Sequence, residues 1–208
     1  MKFVLFEYGM LAVNASRNAN IYMKNEIEVK ARITETDALI HALTNLGCTF
    51  GEPVSQDDTV YAEKIGTLEE FLSNDVFLRI RIQDDGKIIL TAKSPTKKFA
   101  EHLVKIEHEV EVSSAEEARA ILEMMRYRPM VRVQKSRQKA HLHNYEICID
   151  EIEGLGSFIE LEVIGERDEA PRIQNEMWEF LQSLGVSSES QVKKGYDILM
   201  IEKESMHR

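Results

Sequence analysis

The sequence predicts an α+β fold built on an eight-stranded antiparallel closed β-barrel with flanking helices. Three observations carry that prediction. Segments 25–33, 57–63, 77–83, 87–93, 104–112, 131–139, 144–150 and 157–164 alternate in character over short runs, the period of strands with two unlike faces. Most are joined by short turns, with helical patterns placed between them. Nearly every strand also carries two or more charges at i and i+2, whereas ordinary wet sheet faces favour Thr, Ser and Gln among scattered charges.

The elements follow in order. Residues 1–22 read as an N-terminal extension, disordered or upstream of a misread start, because Met23 stands just before the first strong strand. Their faint likeness to a signal peptide fails at Glu7, which breaks the apolar stretch. Residues 23–208 read as one domain, since Pro and Gly are few and no low-complexity linker divides the chain. Thr36 or Asp37 is placed to cap a helix through Leu39, Leu43 and Leu46 that Gly47 stops. Asp84-Asp85-Gly86 reads as a hairpin turn, and Gly154-Leu155-Gly156 links another strand pair. Ser113 or Ser114 caps a helix over 115–126, with Glu116 or Glu117 at capping-box spacing. Asp168 opens a helix with Pro171 in its first turn, ended by Gly185, and a last short helix covers 196–203.

Composition narrows the function. A net charge of −10 argues against a large nucleic-acid footprint. The chain has no run of 18 apolar residues, so nothing in it predicts a membrane span. Cys48 and Cys148 lie far apart with no partner at metal spacing, the usage of a reduced cytoplasmic protein. No Ser-His-Asp set is visible, and His102, His108, His141 and His143 read as surface or strand-edge residues.

The strand faces carry more information. Glu26, Glu28, Lys30 and Arg32 share one face of the first strand, opposite Ile27, Val29 and Ala31. Arg79 with Arg81, and Lys135 with Arg137 and Lys139, form basic rows; Glu107 with Glu109 and Glu111, and Glu160 with Glu162, form acidic ones. A single strand of this kind could simply have a solvated face. Like charges stacked along a strand repel, however, unless opposite charge lies nearby. A closed sheet would bring these rows into one bore. Arg forks match phosphate oxygens, and Mg²⁺ or Mn²⁺ prefers carboxylate and phosphate oxygens together. The rows therefore predict a charged bore suited to a metal-bound polyphosphate.

Glu26-Ile27-Glu28-Val29-Lys30 also resembles the ExExK signature of the CYTH superfamily, the triphosphate tunnel enzymes. Gln56-Asp57-Asp58-Thr59-Val60-Tyr61, Leu78-Arg79-Ile80-Arg81, Leu90-Thr91-Ala92-Lys93 and Lys135-Ser136-Arg137 are similar to its successive strands. So are residues 149–156 and the Phe158-Ile159-Glu160-Leu161-Glu162 run. The resemblance covers about residues 24 to 203, and its wording is most similar to the class IV adenylyl cyclases. It implies Glu26, Glu28 and Glu160 as main ligands of Mg²⁺ or Mn²⁺, two ions in all, with Glu107, Glu109 and Glu162 in or near the coordination sphere. It implies that Lys30, Arg79, Arg81, Lys93, Lys135 and Arg137 hold the phosphates and that Asp150 is a functional acid. Conversion of ATP to cyclic AMP and pyrophosphate is the first reading. Hydrolysis of tripolyphosphate, thiamine triphosphate or a nucleoside triphosphate is the second, and a non-catalytic nucleotide or polyphosphate binder the third. Relatives often pair, so a homodimer is one implied assembly. Where many relatives read T-Y-K-G-P, this chain has Thr91-Ala92-Lys93-Ser94-Pro95, which leaves the base contact open.

Overall fold

The computed structural model describes residues 25–93 and 104–205. The expectations for residues 1–22, Ser94, Pro95 and His102 lie outside them. Eight antiparallel strands form a ring: β1 (Asn25–Ile33), β2 (Val54–Ala62), β3 (Phe77–Gln83), β4 (Ile88–Lys93), β5 (Val104–Glu111), β6 (Arg128–Leu142), β7 (Tyr145–Ile152) and β8 (Gly156–Ile164). Around the ring the order is β1-β5-β4-β3-β2-β6-β7-β8, closing back on β1. Closure is uneven. Among the described residues β1 meets β5 through three register pairs, Asn25↔Ile106 to Ile27↔Val104, but meets β8 through eight.

Two strands outrun their sequence patterns. β2 begins at Val54 rather than 57. β6 spans 15 residues, against the nine expected over 131–139. It pairs with β2 along Arg128–Arg137 and with β7 along Lys135–Leu142, so it backs both halves of the barrel. Pro129 is tolerated because the register shifts beside it, between Val60 and Tyr61. A bulge is where a residue without an N–H can sit in a ladder.

Five α-helices are described: α1 (Thr36–Asn45), α2 (Leu68–Leu72), α3 (Ala115–Met124), α4 (Ala170–Ser183) and α5 (Tyr196–Ser205). Helix α1 follows Glu35, which makes no side-chain cap, so the expected Thr36 or Asp37 cap is not formed. Ser114 does cap α3, its hydroxyl accepting from the Glu117 N–H. Asp168 lies in a 3₁₀ turn over Arg167–Glu169, and α4 begins two residues later, with Pro171 in its first turn. Sequence periodicity missed α2. It is only five residues long but carries a complete capping box between Thr67 and Glu70.

Parity along the strands divides the barrel. Helices α1 and α4 lay Leu39, Leu43, Met177 and Leu181 on the outer side of β1, β7 and β8, against Ile27, Val29, Ile147, Ile149, Ile159 and Leu161. Helix α3 covers Ile80 and Tyr61 with Ala118 and Leu122. Each fully buried large apolar side chain of this kind contributes about 1.5–3 kcal/mol. Helix α5 lies across β6, where Ile201 joins Val60 and Val131, and Tyr196 joins Val133, Ile152 and Phe158. The Met177 and Leu181 side chains are fully buried outside the barrel, which frees the inner face for polar groups.

Candidate functional site

The inner face is a cavity of about 830 Å³, within the range of small-molecule sites. It is lined by Glu26, Glu28, Lys30, Arg79, Arg81, Lys93, Glu107, Glu109, Lys135, Arg137, Glu160 and Glu162. Thus twelve of the thirteen residues proposed from sequence converge. The thirteenth, Asp150, is fully buried in the wall behind them. Arg32 shares the parity of Lys30 but does not line the cavity: its guanidinium stacks over Phe158 and donates to the Leu155 carbonyl.

Register explains the convergence. Lys30 faces Glu160 across the β1–β8 ladder, and Glu28 faces Glu162. Arg137 faces Asp150 across β6–β7. Arg79 faces Thr91, which in turn faces Glu109. Each cross-strand pair becomes a polar contact or a close juxtaposition.

Two ionic groups result. In the first, Arg137 donates through Nε to Asp150 Oδ1 at 2.6 Å and also pairs with Asp150 Oδ2 and Glu160. Glu160 takes a further ion pair from Lys30 at 2.8 Å. Burial opposes ionisation of Glu160, but Lys30 and Arg137 overcome it and hold the carboxyl well below its usual range. In the second, Arg81 grips Asp58 through two bonds of 2.7 and 2.8 Å. Arg79 donates to Thr91 Oγ1 at 3.0 Å and to Glu109 at 2.8 Å. Lys93 pairs with Glu107 at 2.6 Å.

Some basic groups are less completely satisfied. The Nε–H of Arg79 is buried and has no hydrogen-bond partner among the described residues. Lys135 is buried, and its nearest ion-pair partner among the described residues is Asp150 at 3.8 Å. Burial and the neighbouring Arg137 charge pull its ammonium down to about 7. An unmet buried donor is costly unless a ligand supplies the acceptor.

The carboxylates show the complementary stress. Burial, then the charge of Glu160, pushes Glu162 up to about 8. Burial, then Glu107, raises Glu26. Crowded carboxylates are the donors a hard divalent cation relieves, so Glu26, Glu28, Glu107, Glu109 and Glu162 suit Mg²⁺ or Mn²⁺ chemically, and Glu26 and Glu162 are the two that resist ionisation. Glu160 has the same donor chemistry and is engaged by Lys30 and Arg137, as Glu107 is by Lys93 and Glu109 by Arg79.

Sequence reasoning missed several lining groups. Asp58 was read only as part of a strand motif, although its inward parity was available. Tyr196 belongs to a helix, where strand periodicity gives no signal; its hydroxyl donates to Asp150 Oδ2 at 2.9 Å. Glu146 and Cys148 bring ligand atoms within 4.8 Å of those of Glu162. Both cysteines are free and buried, and no helix among the described residues is long and apolar enough to cross a membrane.

Fold and site together define an antiparallel tunnel protein with an ionic interior. The chain belongs to the CYTH domain family, whose model matches residues 24–196. It is 30% identical over 173 residues to a curated Methanocaldococcus jannaschii protein provisionally named an adenylate cyclase, covering 82% of this chain and 95% of that one. The PH1819 protein from Pyrococcus horikoshii superposes with a TM-score of 0.73 at 27% identity, over 86% of this chain and 99% of that one. A Hippeastrum protein described with a dominant triphosphatase activity shares the fold at a TM-score of 0.57 and 18% identity, over 86% and 96% of the respective chains.

Proposed function

We propose that the cavity binds a metal-chelated triphosphate and that the chain converts ATP to cyclic AMP and pyrophosphate. The observation that carries this reading is the set of buried basic groups facing one cavity with unmet capacity, above all Arg79 Nε and Lys135, beside carboxylates that resist ionisation. Among the described residues nine basic and nine acidic side chains line the cavity, so an added polyanion brings excess negative charge to them unless cations accompany it.

In this reading Lys30, Arg79, Arg81, Lys93, Lys135 and Arg137 orient the triphosphate, and Asp150 fixes Arg137. Glu26, Glu28, Glu107, Glu109, Glu160 and Glu162 hold Mg²⁺ or Mn²⁺, which supplies Lewis acidity and charge neutralisation when bound. The ribose 3′-oxygen attacks the α-phosphorus, the α–β bridging bond breaks, pyrophosphate leaves and the hydroxyl proton is released. The basic groups stabilise charge that builds on the leaving oxygens. Leu72, Phe77 and Ile198 give the cavity an apolar flank suited to a purine. The name of the Methanocaldococcus jannaschii relative supports the same reading, and the cytoplasm supplies the substrate.

Triphosphate hydrolysis is the second reading, favoured by the activity described for the Hippeastrum neighbour. The same basic rows would then present the γ-phosphorus to water. Incubation with ATP, thiamine triphosphate and tripolyphosphate in Mg²⁺ and Mn²⁺ separates the alternatives. Cyclic AMP with pyrophosphate is expected from ATP. Orthophosphate alone would establish the hydrolase, and tight binding without any product would leave a binding module. Phe77→Ala is expected to raise KM for ATP and leave tripolyphosphate affinity unchanged; equal effects on both would remove the purine flank from the account.

A further inference from the structure

Between the 3₁₀ turn at Ser188–Ser190 and the start of α5, the chain crosses β1 at the point where Lys30 enters the cavity. Gln191 bridges Ala31, and the Val192 N–H donates to the Lys30 carbonyl at 2.9 Å. Lys30 Nζ donates in return to the Lys194 carbonyl at 3.5 Å. This strap delivers Tyr196 into the cavity wall, where it is 8% exposed.

Tyr196 touches groups from four strands. Its hydroxyl donates to Asp150 on β7. Its ring centroid lies 4.2 Å from Lys30 Nζ on β1 and 5.2 Å from Lys135 Nζ on β6. Phe158 packs edge-on against the ring at 5.1 Å and limits its rotation. The two ends of the side chain do different things. The hydroxyl holds the Asp150 carboxylate in the orientation that receives the Arg137 fork. The ring face attracts two ammonium groups without neutralising them. A carboxylate in its place would pair with Lys135 and compete with an incoming phosphate.

We propose that Tyr196 is a positioning residue of the triphosphate site, holding Lys30 and Lys135 through its ring and Arg137 through its hydroxyl and Asp150. The start of the C-terminal helix is then part of the binding machinery. This rests on the triphosphate reading above.

The test uses full-length protein, Tyr196→Phe and Tyr196→Leu, with Mg²⁺-tripolyphosphate binding by calorimetry, steady-state turnover and thermal melts. Phe keeps the ring, so affinity stays within about threefold of the parent, while kcat falls about tenfold because the bond to Asp150 is lost. Leu loses both ends, so affinity also falls by about tenfold. Parent-like affinity and turnover in both variants overturn the inference. So does an equal fall in affinity for Phe and Leu, which would show that the ring does not matter. If Leu does not fold, the kcat-only loss in Phe still decides. A parent protein that fails to bind tripolyphosphate sinks the functional reading instead, so the two failures are distinguishable.

Discussion

Arg79 and Arg137 have the same side chain in different settings, and the difference governs what their removal does. Arg79 retains an Nε with no partner among the described residues and contacts Glu109, whose side chain is 48% exposed. Arg137 lies between Asp150 and Glu160, both essentially removed from solvent. Arg79→Ala is therefore expected to add about 2–4 kcal/mol to the barrier, the usual cost of losing an electrostatic stabiliser. Its denaturant midpoint should move little. Arg137→Ala leaves two buried carboxylates short of a partner and is expected to lose about 3–5 kcal/mol of stability as well. Turnover and denaturant titration on both variants check the contrast. Glu162 gives a pH signature. Its folded carboxyl is raised to about 8, so between its unfolded value and that point the native state holds a proton the unfolded chain has lost. Stability falls as pH rises through that window. Metal-free Glu162→Gln should accordingly show a larger gain in Tm over the parent at about pH 9 than at about pH 5. A pH-independent difference would refute the strained carboxyl. At this scale the charged rows were legible because inward residues recur every second position. Their partners were not: Arg81 meets Asp58, 23 residues away, through the β2–β3 register, and Arg79 meets Glu109, 30 residues away, across β4, and alternation within one strand does not give either pairing.

Elements were legible in proportion to their length and regularity. The alternation in β1, β3 and β8 identified them closely, and Ser114 marked the start of α3. Pro129 concealed the beginning of β6, since proline argues against a strand until a bulge accommodates it. Five residues are too few for a helical period, so α2 left only Thr67 and Glu70 as a trace. The Tyr196 contribution was invisible because α5 approaches the barrel from outside the strand pattern. The short β1–β5 seam leads to a prediction about opening. Amides of Asn25–Ile27 and their β5 partners should exchange faster than those of the β6–β7 ladder, which holds eight register pairs. Hydrogen exchange resolved by residue checks this, and equal protection on both sides would mean that the seam is not the weak point.

For the whole molecule, the fold was legible as a closed sheet because rows of like charge made sense only if they faced one another. The sequence did not reveal how apolar packing divides around that sheet. The cluster built on Met177 and Leu181 lies outside the barrel, away from the ionic groups. Leu181→Ala is expected to cost about 2–5 kcal/mol of stability, the range for emptying a packed core position. Turnover per folded molecule should remain close to the parent below the melting transition. A matching loss of turnover would show that the outer packing shapes the site.

The wall between those layers is one strand thick, and neighbouring residues on it answer to different demands. Ile159 and Leu161 keep the molecule folded, while Glu160 and Glu162 between them face the chamber. Such a wall can be relettered on one side only. A lineage could exchange one anionic cargo for another by editing alternate positions, with the scaffold inherited unchanged.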